Sequence, residues 1–520
     1  MGGKTTVLLM INGYGITENI EDSAFDNADM PVLRDIAQKY PYTKLLSSGI
    51  AVGLPNGQPG NAMVGCNNIG AGRIVYQDLS RINKDISRGS FFGNKVLLDT
   101  LSFCKKNDSG LHIMGLLSDG GVHSHMDHLF ALLKLASQNG LNKVYVHCFM
   151  DGRDTPVNSG ISYIEMLQSK MREYEVGEIA SVSGRYYAMD RDNNYERIKL
   201  VYTALTRGEG NKAANAAGAV QSAYESGLSD EYIKPTVIVN GGVPVGTIND
   251  EDAVIFFNFR PDRAKELTKA FCDDEFRMFK KEERLNIKFV CFTDCDESIE
   301  NKDVIYGREY AVNNLGEYLS LCSKRQLRLT ESETASYVTS FFDGLKQDDT
   351  YDGEDKLILR SLKNIESYSE APLMNCEAVC KRLVSEIEGG KYDFILCSLA
   401  NADIVGHSGD FEATVKACEA LDRCIGKILS AIVDNNGVLF ICSTHGKAEK
   451  LREDKTKEPY SAHTVNPVPV IMVNYEEDYY LREIGCLADI APTILQTMQL
   501  QKPKEMTGKS LLIKMDREPE

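Results

Sequence analysis

Two sets of residues in this 520-residue chain carry the means to do chemistry. In the first, Asp403 and His407 stand four positions apart, so both can face one way on a helical turn, and His463 adds a donor from a later loop. Two imidazoles and one carboxylate suit a divalent transition ion such as manganese or zinc. In the second, His123, Arg153, Asp154, Arg185, Arg191, Arg260 and Arg263 fall in separate polar loops. Guanidinium groups hold phosphate or carboxylate through paired N–H bonds, so these residues form a candidate anion pocket, with His123 and Asp154 available for proton transfer. The plainer alternatives are a structural histidine and surface arginines tied up in ion pairs.

Short apolar runs lead into these loops. Val7 to Ile11 runs into Asn12-Gly13, Phe394 to Cys397 towards Asn401 and Asp403, and Val438 to Ile441 into Thr444-His445-Gly446. In the middle of the chain, Leu111 to Leu117, Val144 to Met150, Ile179 to Val182 and Val254 to Phe257 each deliver a basic group into the loop that follows. Such runs, broken by helical stretches, read as buried parallel strands of an α/β fold, whose ligands sit beyond the carboxyl ends of the strands. Both ends of the chain carry loops of the metal set, which implies one outer domain, residues 1–77 and 311–520, with residues 78–310 inserted.

Hydrophobic residues make up 43% and charged residues 26%, as in an ordinary globular enzyme. The net charge of −17 disfavours nucleic acid and anionic membrane as partners. No stretch approaches the roughly 20 apolar residues that span a bilayer. The 14 cysteines include no CxxC pair and read as reduced, buried thiols of a cytoplasmic protein. The start, Met1-Gly2-Gly3-Lys4-Thr5-Thr6, fits the loose myristoylation pattern, and its plain reading is a lead into the first strand.

Longer motifs carry a resemblance. Gly60-Asn61-Ala62-Met63-Val64-Gly65, Gly70 to Arg73, Val75 to Arg81, Asp151 to Pro156, Ser183 to Asp192, Asn258 to Arg263, Asn401 to Gly409, Asn466 to Pro469 and Glu505 to Ser510 follow one another in the order seen in cofactor-independent phosphoglycerate mutases. The resemblance covers essentially the whole chain. It implies an alkaline-phosphatase-like phosphatase domain with an inserted α/β phosphotransferase domain that binds substrate, and two manganese ions. It also implies a serine that carries the phosphoryl group between the hydroxyls of phosphoglycerate, and a monomer. Asp403, His407 and His463 match the first metal site of that family, with His445 retained from the second. The seven residues of the anion pocket match its substrate residues.

Four positions depart from the family together. Ala62 stands in place of the nucleophilic serine, Asn12 and Thr444 in place of metal-binding aspartates, and Thr334 in place of a lysine. Cys66 and Lys447 also replace family residues, a histidine and an asparagine. A neutral amide and a hydroxyl are poor substitutes for carboxylates as ligands, so one manganese site is expected and the second is depleted. A methyl group cannot accept a phosphoryl group. The expectation is a binder of phosphoglycerate or a similar phosphorylated acid without turnover. The alternatives are a mutase of altered mechanism, with Cys66 as the one other nucleophile in its segment, and a one-metal phosphohydrolase.

Overall fold

A computed structural model describes residues 4–281, 284–308, 310–346, 350–363, 365–453, 455–476 and 478–515. The acylation pattern around Gly2 lies outside them. The chain divides into two compact units, Met1–Gln77 with Tyr310–Glu520, and Asp78–Glu309. Both are α/β.

The first unit is built on an eight-stranded sheet. Its order is Glu354–Leu359, Gln326–Glu331, Phe394–Leu399, Thr6–Ile11, Val438–Cys442, Val468–Val473, Tyr42–Leu46 and Ile484–Cys486. The first five run parallel, and Val468–Val473 reverses direction. Strand Thr6–Ile11 shows why these runs are apolar throughout. Val7, Leu9 and Ile11 enter one core, with Leu383, Ile395 and Ile428. Leu8 and Met10 point the opposite way, into a core with Ile69, Leu319 and Ile494. Successive side chains alternate between faces, and helices cover both faces here, so both sets must be apolar. The carboxyl ends of the parallel strands deliver Asn12, Thr334, Asp403 and the Ser443–His445 turn to one edge of the sheet.

The second unit repeats the plan. Strands Asp303–Tyr306, Lys288–Thr293, Ala253–Phe256, Leu111–Leu117, Val144–Met150 and Glu178–Gly184 are adjacent and parallel. Thr236–Asn240 closes against the last of them in the antiparallel sense. Their carboxyl ends carry the loops with Ser118 to His123, Asp151 to Asp154, Arg185 and Asn258 to Arg263. All 14 cysteines are unpaired. Twelve are buried, whereas Cys322, just past a helix end, and Cys486, the last residue of the edge strand Ile484–Cys486, are only half-buried.

Three strands of this unit are stitched by a buried polar chain. His147 Nδ1 lies 2.8 Å from Ser181 Oγ, its Nε2 lies 3.0 Å from His112 Nδ1, and His112 Nε2 lies 3.3 Å from Asp252. Burial, and then His112 beside it, depress the His147 pKa well below the ordinary imidazole value. Burial, and then His125, push His128 down to about 3. Both are therefore neutral when folded and free to take a proton when unfolded at any pH below about 6.5. The unfolded state then binds more protons, so stability is complete above pH ~6.5 and falls as pH drops below it. The expected slope is up to about 1.4 kcal/mol per pH unit for each site. Urea unfolding at a series of pH values reads this directly, and a flat profile from neutral to acidic pH would contradict it.

Candidate functional site

In the first unit, helix Asn401–Gly406 starts just after strand Phe394–Leu399 and brings Asp403 and His407 to the same side. His445 Nε2 lies 3.0 Å from Asp403 Oδ1, His407 Nε2 3.4 Å and His463 Nε2 3.8 Å, while the His407 and His463 Nε2 atoms are 3.1 Å apart. The four side chains expected from the sequence therefore converge, and donor atoms of Asp403, His445 and His463 all fall within 4.8 Å of one another. Asp403 and His445 are fully buried, whereas His407 and His463 reach solvent.

The outer hydrogen bonds orient the rings. His463 Nδ1 lies 2.9 Å from the Gly60 carbonyl, and His407 Nδ1 lies 3.3 Å from the Ser461 carbonyl. A carbonyl only accepts, so each Nδ1 carries a proton, which leaves each Nε2 to face the cluster. A cation among these atoms, whether a metal ion or an imidazolium proton, is what lets them approach Asp403 at these distances. Burial works against the Asp403 charge, but His445 and His407 outweigh it and hold its carboxyl far below the usual range. Burial, and then His445, push His463 down to about 4. This donor set fits a divalent transition ion.

Beside it lies a neutral pocket. The Thr444 hydroxyl lies 2.8 Å from both Asn12 Oδ1 and His445 Nδ1, and the Asn12 amide donates to Ser398 Oγ at 3.2 Å. Thr334 Oγ1 meets Thr330 Oγ1 at 2.7 Å. These groups satisfy one another without a cation. Ala62 opens helix Ala62–Ala71, which Asn61 caps by accepting from Val64 N. One turn on, Gly65 packs against Thr444 so closely that a β-carbon there would come within 2.5 Å of Thr444 Cβ. Cys66 sits wholly inside the core on this regular helix, and burial raises its thiol well above the ordinary value. It is a core side chain and not a thiolate. Lys447 is also fully buried. Its ammonium donates to the Tyr460 carbonyl at 3.0 Å, and burial lowers it to about 8 against the pull of Asp403 and Glu449.

In the second unit, Arg185 is 2% exposed and donates to Asp151 and Asp154, both at 2.6 Å. Asp151 also accepts from Ser118 Oγ and from the backbone N–H groups of Arg153 and Asp154, which shapes the Asp151-Gly152-Arg153-Asp154 turn. Arg260 and Arg191 share Asp262 at 2.9 and 3.4 Å, and Arg153 stands 3.7 Å from Glu231. Arg263 has a carbonyl for a partner, Met189 O at 3.0 Å. Burial, and then Arg185, Arg191 and Arg153 around it, lower its pKa. A guanidinium crowded by others is a place for an anion. His123 is 4% exposed, 3.9 Å from Asp154 and 4.0 Å from Asp262, and burial followed by Arg185 pushes it down to about 4. It is therefore a neutral imidazole at neutral pH. The seven expected residues meet at one end of this sheet. Sequence reasoning passed over Asp151 and Asp262, the carboxylates that hold the arginines. Asp262 stands within the Arg260-Pro261-Asp262-Arg263 stretch, where it could have been noticed.

The family model for the BPG-independent PGAM N-terminus matches residues 82–297. The 2,3-bisphosphoglycerate-independent phosphoglycerate mutase of Lachnoclostridium phytofermentans is 50% identical over 515 residues, 99% of this chain and 100% of that protein. The protein of that name from Acetivibrio thermocellus is 47% identical over 515 residues, with the same coverage. Among solved structures, Leishmania mexicana phosphoglycerate mutase at low cobalt concentration aligns with a TM-score of 0.60 at 27% identity, over 98% of both chains.

Proposed function

This chain belongs to the 2,3-bisphosphoglycerate-independent phosphoglycerate mutase family, and from that membership we propose that it binds a phosphoglycerate-type ligand without transferring its phosphoryl group. The observation that carries the reading is the Asn12–Thr444 contact of 2.8 Å, against which the helix that begins at Ala62 packs through Gly65. Two aspartates so close would need an ion between them, whereas here a hydroxyl donates to an amide carbonyl and closes the gap. The pocket has no carboxylate to hold a second ion and no oxygen at position 62 to take a phosphoryl group.

The remaining equipment supports binding. Arg153, Arg185, Arg191, Arg260 and Arg263 supply forked donors for phosphate and carboxylate, and neutral His123 can donate or accept at a ligand hydroxyl. Asp403, His407 and His463 would hold one divalent ion, manganese by family likeness, which supplies Lewis acidity when bound. We place the protein in the cytoplasm as a monomer. Among the described residues, no helix is long and apolar enough to cross a membrane.

Calorimetry with 3-phosphoglycerate tests the reading. Binding is expected, and it should weaken at high salt as the Debye length shrinks from about 10 Å at 0.1 M to about 3 Å at 1 M. Arg263→Ala should weaken it roughly tenfold to a hundredfold, the range for hydrogen bonds to a charged group. Neither heat nor thermal shift at millimolar ligand would remove the proposal.

A further inference from the structure

The anion pocket of the second unit depends on a loop, Asp190 to Asn194, that presents Arg191. Resting on the binding reading above, we propose that Glu266 is a positioning residue for Arg191: it donates a proton to Asp190, the two carboxyl groups clamp the loop together, and loss of that proton releases Arg191 and weakens binding of the anionic ligand.

The loop hangs on these two carboxyls. Asp190 Oδ1 accepts from the backbone N–H groups of Asp192 at 3.0 Å and Asn194 at 2.9 Å, and its Oδ2 accepts from Arg197 at 2.7 Å. Glu266 Oε1 accepts from Asn193 N at 2.9 Å. Asn193 has a φ of 61°, a left-handed conformation that a residue other than glycine keeps when its surroundings hold it. Both carboxyls are buried, Asp190 at 2% exposure and Glu266 at 4%, whereas Arg191 reaches solvent.

The other oxygen of Glu266 assigns the proton. Oε2 is sealed from water and meets no donor among the described residues. The side chain in hydrogen-bond reach of Glu266 is Asp190. Two ionised carboxylates in so small a space repel, and a proton on one of them turns the repulsion into a hydrogen bond. Arg197 and two N–H groups already engage Asp190 as an acceptor, so the proton belongs to Glu266. Burial, the largest influence, acts with Asp190 and Asp192 against the Asn193 N–H and pushes Glu266 up to about 7.

The charged groups on the surrounding elements are committed elsewhere. Helix Tyr195–Arg207 brings Arg197, bonded to Asp190, and Tyr195, whose phenol is pushed up by burial and then by Glu266, Asp273 and Asp190. On the helix of Glu266 itself, Lys265–Cys272, Lys265 and Lys269 pair with Asp296. In the turn before it, Arg263 donates to Met189 O, and Asp262 holds Arg260 and Arg191. Strand Lys288–Thr293 contributes Cys291 beside Thr268, a thiol that Cys295 and burial keep un-ionised. Each of these cations has another partner, so none neutralises Glu266.

The test measures 3-phosphoglycerate affinity of the full chain by calorimetry at a series of pH values, with Glu266→Gln as the comparison. The amide keeps an acceptor for Asn193 and a donor for Asp190, and it cannot ionise. The phosphate of the ligand titrates identically for both proteins, so the ratio of their dissociation constants isolates Glu266. That ratio should be near one at about pH 6 and reach about tenfold at about pH 8, as the protonated form falls to about a tenth. Hydrogen exchange across residues 190–194 of the ligand-free proteins should diverge in the same way. Protection at Asn193, corrected for base catalysis, should fall towards pH 8 in the unsubstituted chain and persist in Glu266→Gln. A ratio independent of pH, or protection that stays level in the unsubstituted chain, would overturn the proposal. The exchange profile of the unsubstituted chain decides the matter even if the variant does not fold. If neither protein binds 3-phosphoglycerate at any pH, the binding reading fails, and the exchange profile still passes or sinks the clamp separately.

Discussion

Metal-loaded protein given 3-phosphoglycerate and coupled to enolase will turn over about 10⁶-fold more slowly than an intact relative, the loss measured when an essential nucleophile is removed. At about 1.36 kcal/mol per decade this is about 8 kcal/mol of transition-state stabilisation. Among the described residues, the hydroxyls and the thiol closest to position 62 in the site do not replace it. The Thr444 hydroxyl is committed to Asn12 and the Thr334 hydroxyl to Thr330. The Cys66 thiol is inside the core and far from ionising. Thr334 also leaves the pocket without the cation that a lysine would bring to a transferring phosphoryl group. Ala62→Ser alone is expected to leave the protein inactive, because its oxygen would lack an ion to activate it. Ala62→Ser with Asn12→Asp, Thr444→Asp and Thr334→Lys should recover mutase activity. Trapping a labelled phospho-protein from the unsubstituted chain, or turnover comparable to an intact relative, would overturn the argument. Failure of the fourfold variant would point to a pocket remodelled beyond these positions.

Arg185→Ala will lower the stability of the second unit by about 3–5 kcal/mol, the cost of leaving buried charges without their partner. The guanidinium bridges Asp151 and Asp154, both at 2.6 Å, and both it and Asp151 are essentially sealed from water. Burial alone would raise the Asp151 pKa. The Ser118 hydroxyl, the Asp154 N–H and Arg185 more than offset it, so the carboxylate stays charged. Removing the arginine strands that charge and releases the turn that presents Arg153 and Asp154. Ligand binding should therefore vanish together with the stability. Arg185→Lys supplies charge without the fork and should recover only part of either. Urea unfolding of the three proteins gives the comparison, and a change below about 1 kcal/mol, as for a surface pair, would sink the claim.

Much of this was legible in the chain because parallel strands buried on both faces must be apolar throughout. Val7 to Ile11, Leu111 to Leu117 and Val144 to Met150 announced themselves for that reason, and the loops beyond them held the chemistry. The order reversal at Val468–Val473 and its pairing with Tyr42–Leu46 were not legible, since an apolar run does not reveal its direction. The Asp403–His407 spacing predicted a shared face, and both residues do turn to the same cluster. The position of His445 within 3.0 Å of Asp403 was harder to foresee, because it depends on Phe394–Leu399 and Val438–Cys442 flanking Thr6–Ile11, three strands far apart in the chain. The His112–His147–Ser181 chain was invisible for the same reason: each member lies on a different strand inside a run that reads as plain core.

The bond between Asn12 and Thr444 also resists change at either position alone. An aspartate at either position alone would set a buried carboxylate against the neutral partner that now bonds there, at a cost of several kcal/mol. Each single step towards a pair of aspartates is uphill, and only a joint change opens a seat for an ion. Laboratory libraries that vary one codon at a time should therefore never yield a bound second ion, while a paired-codon library could.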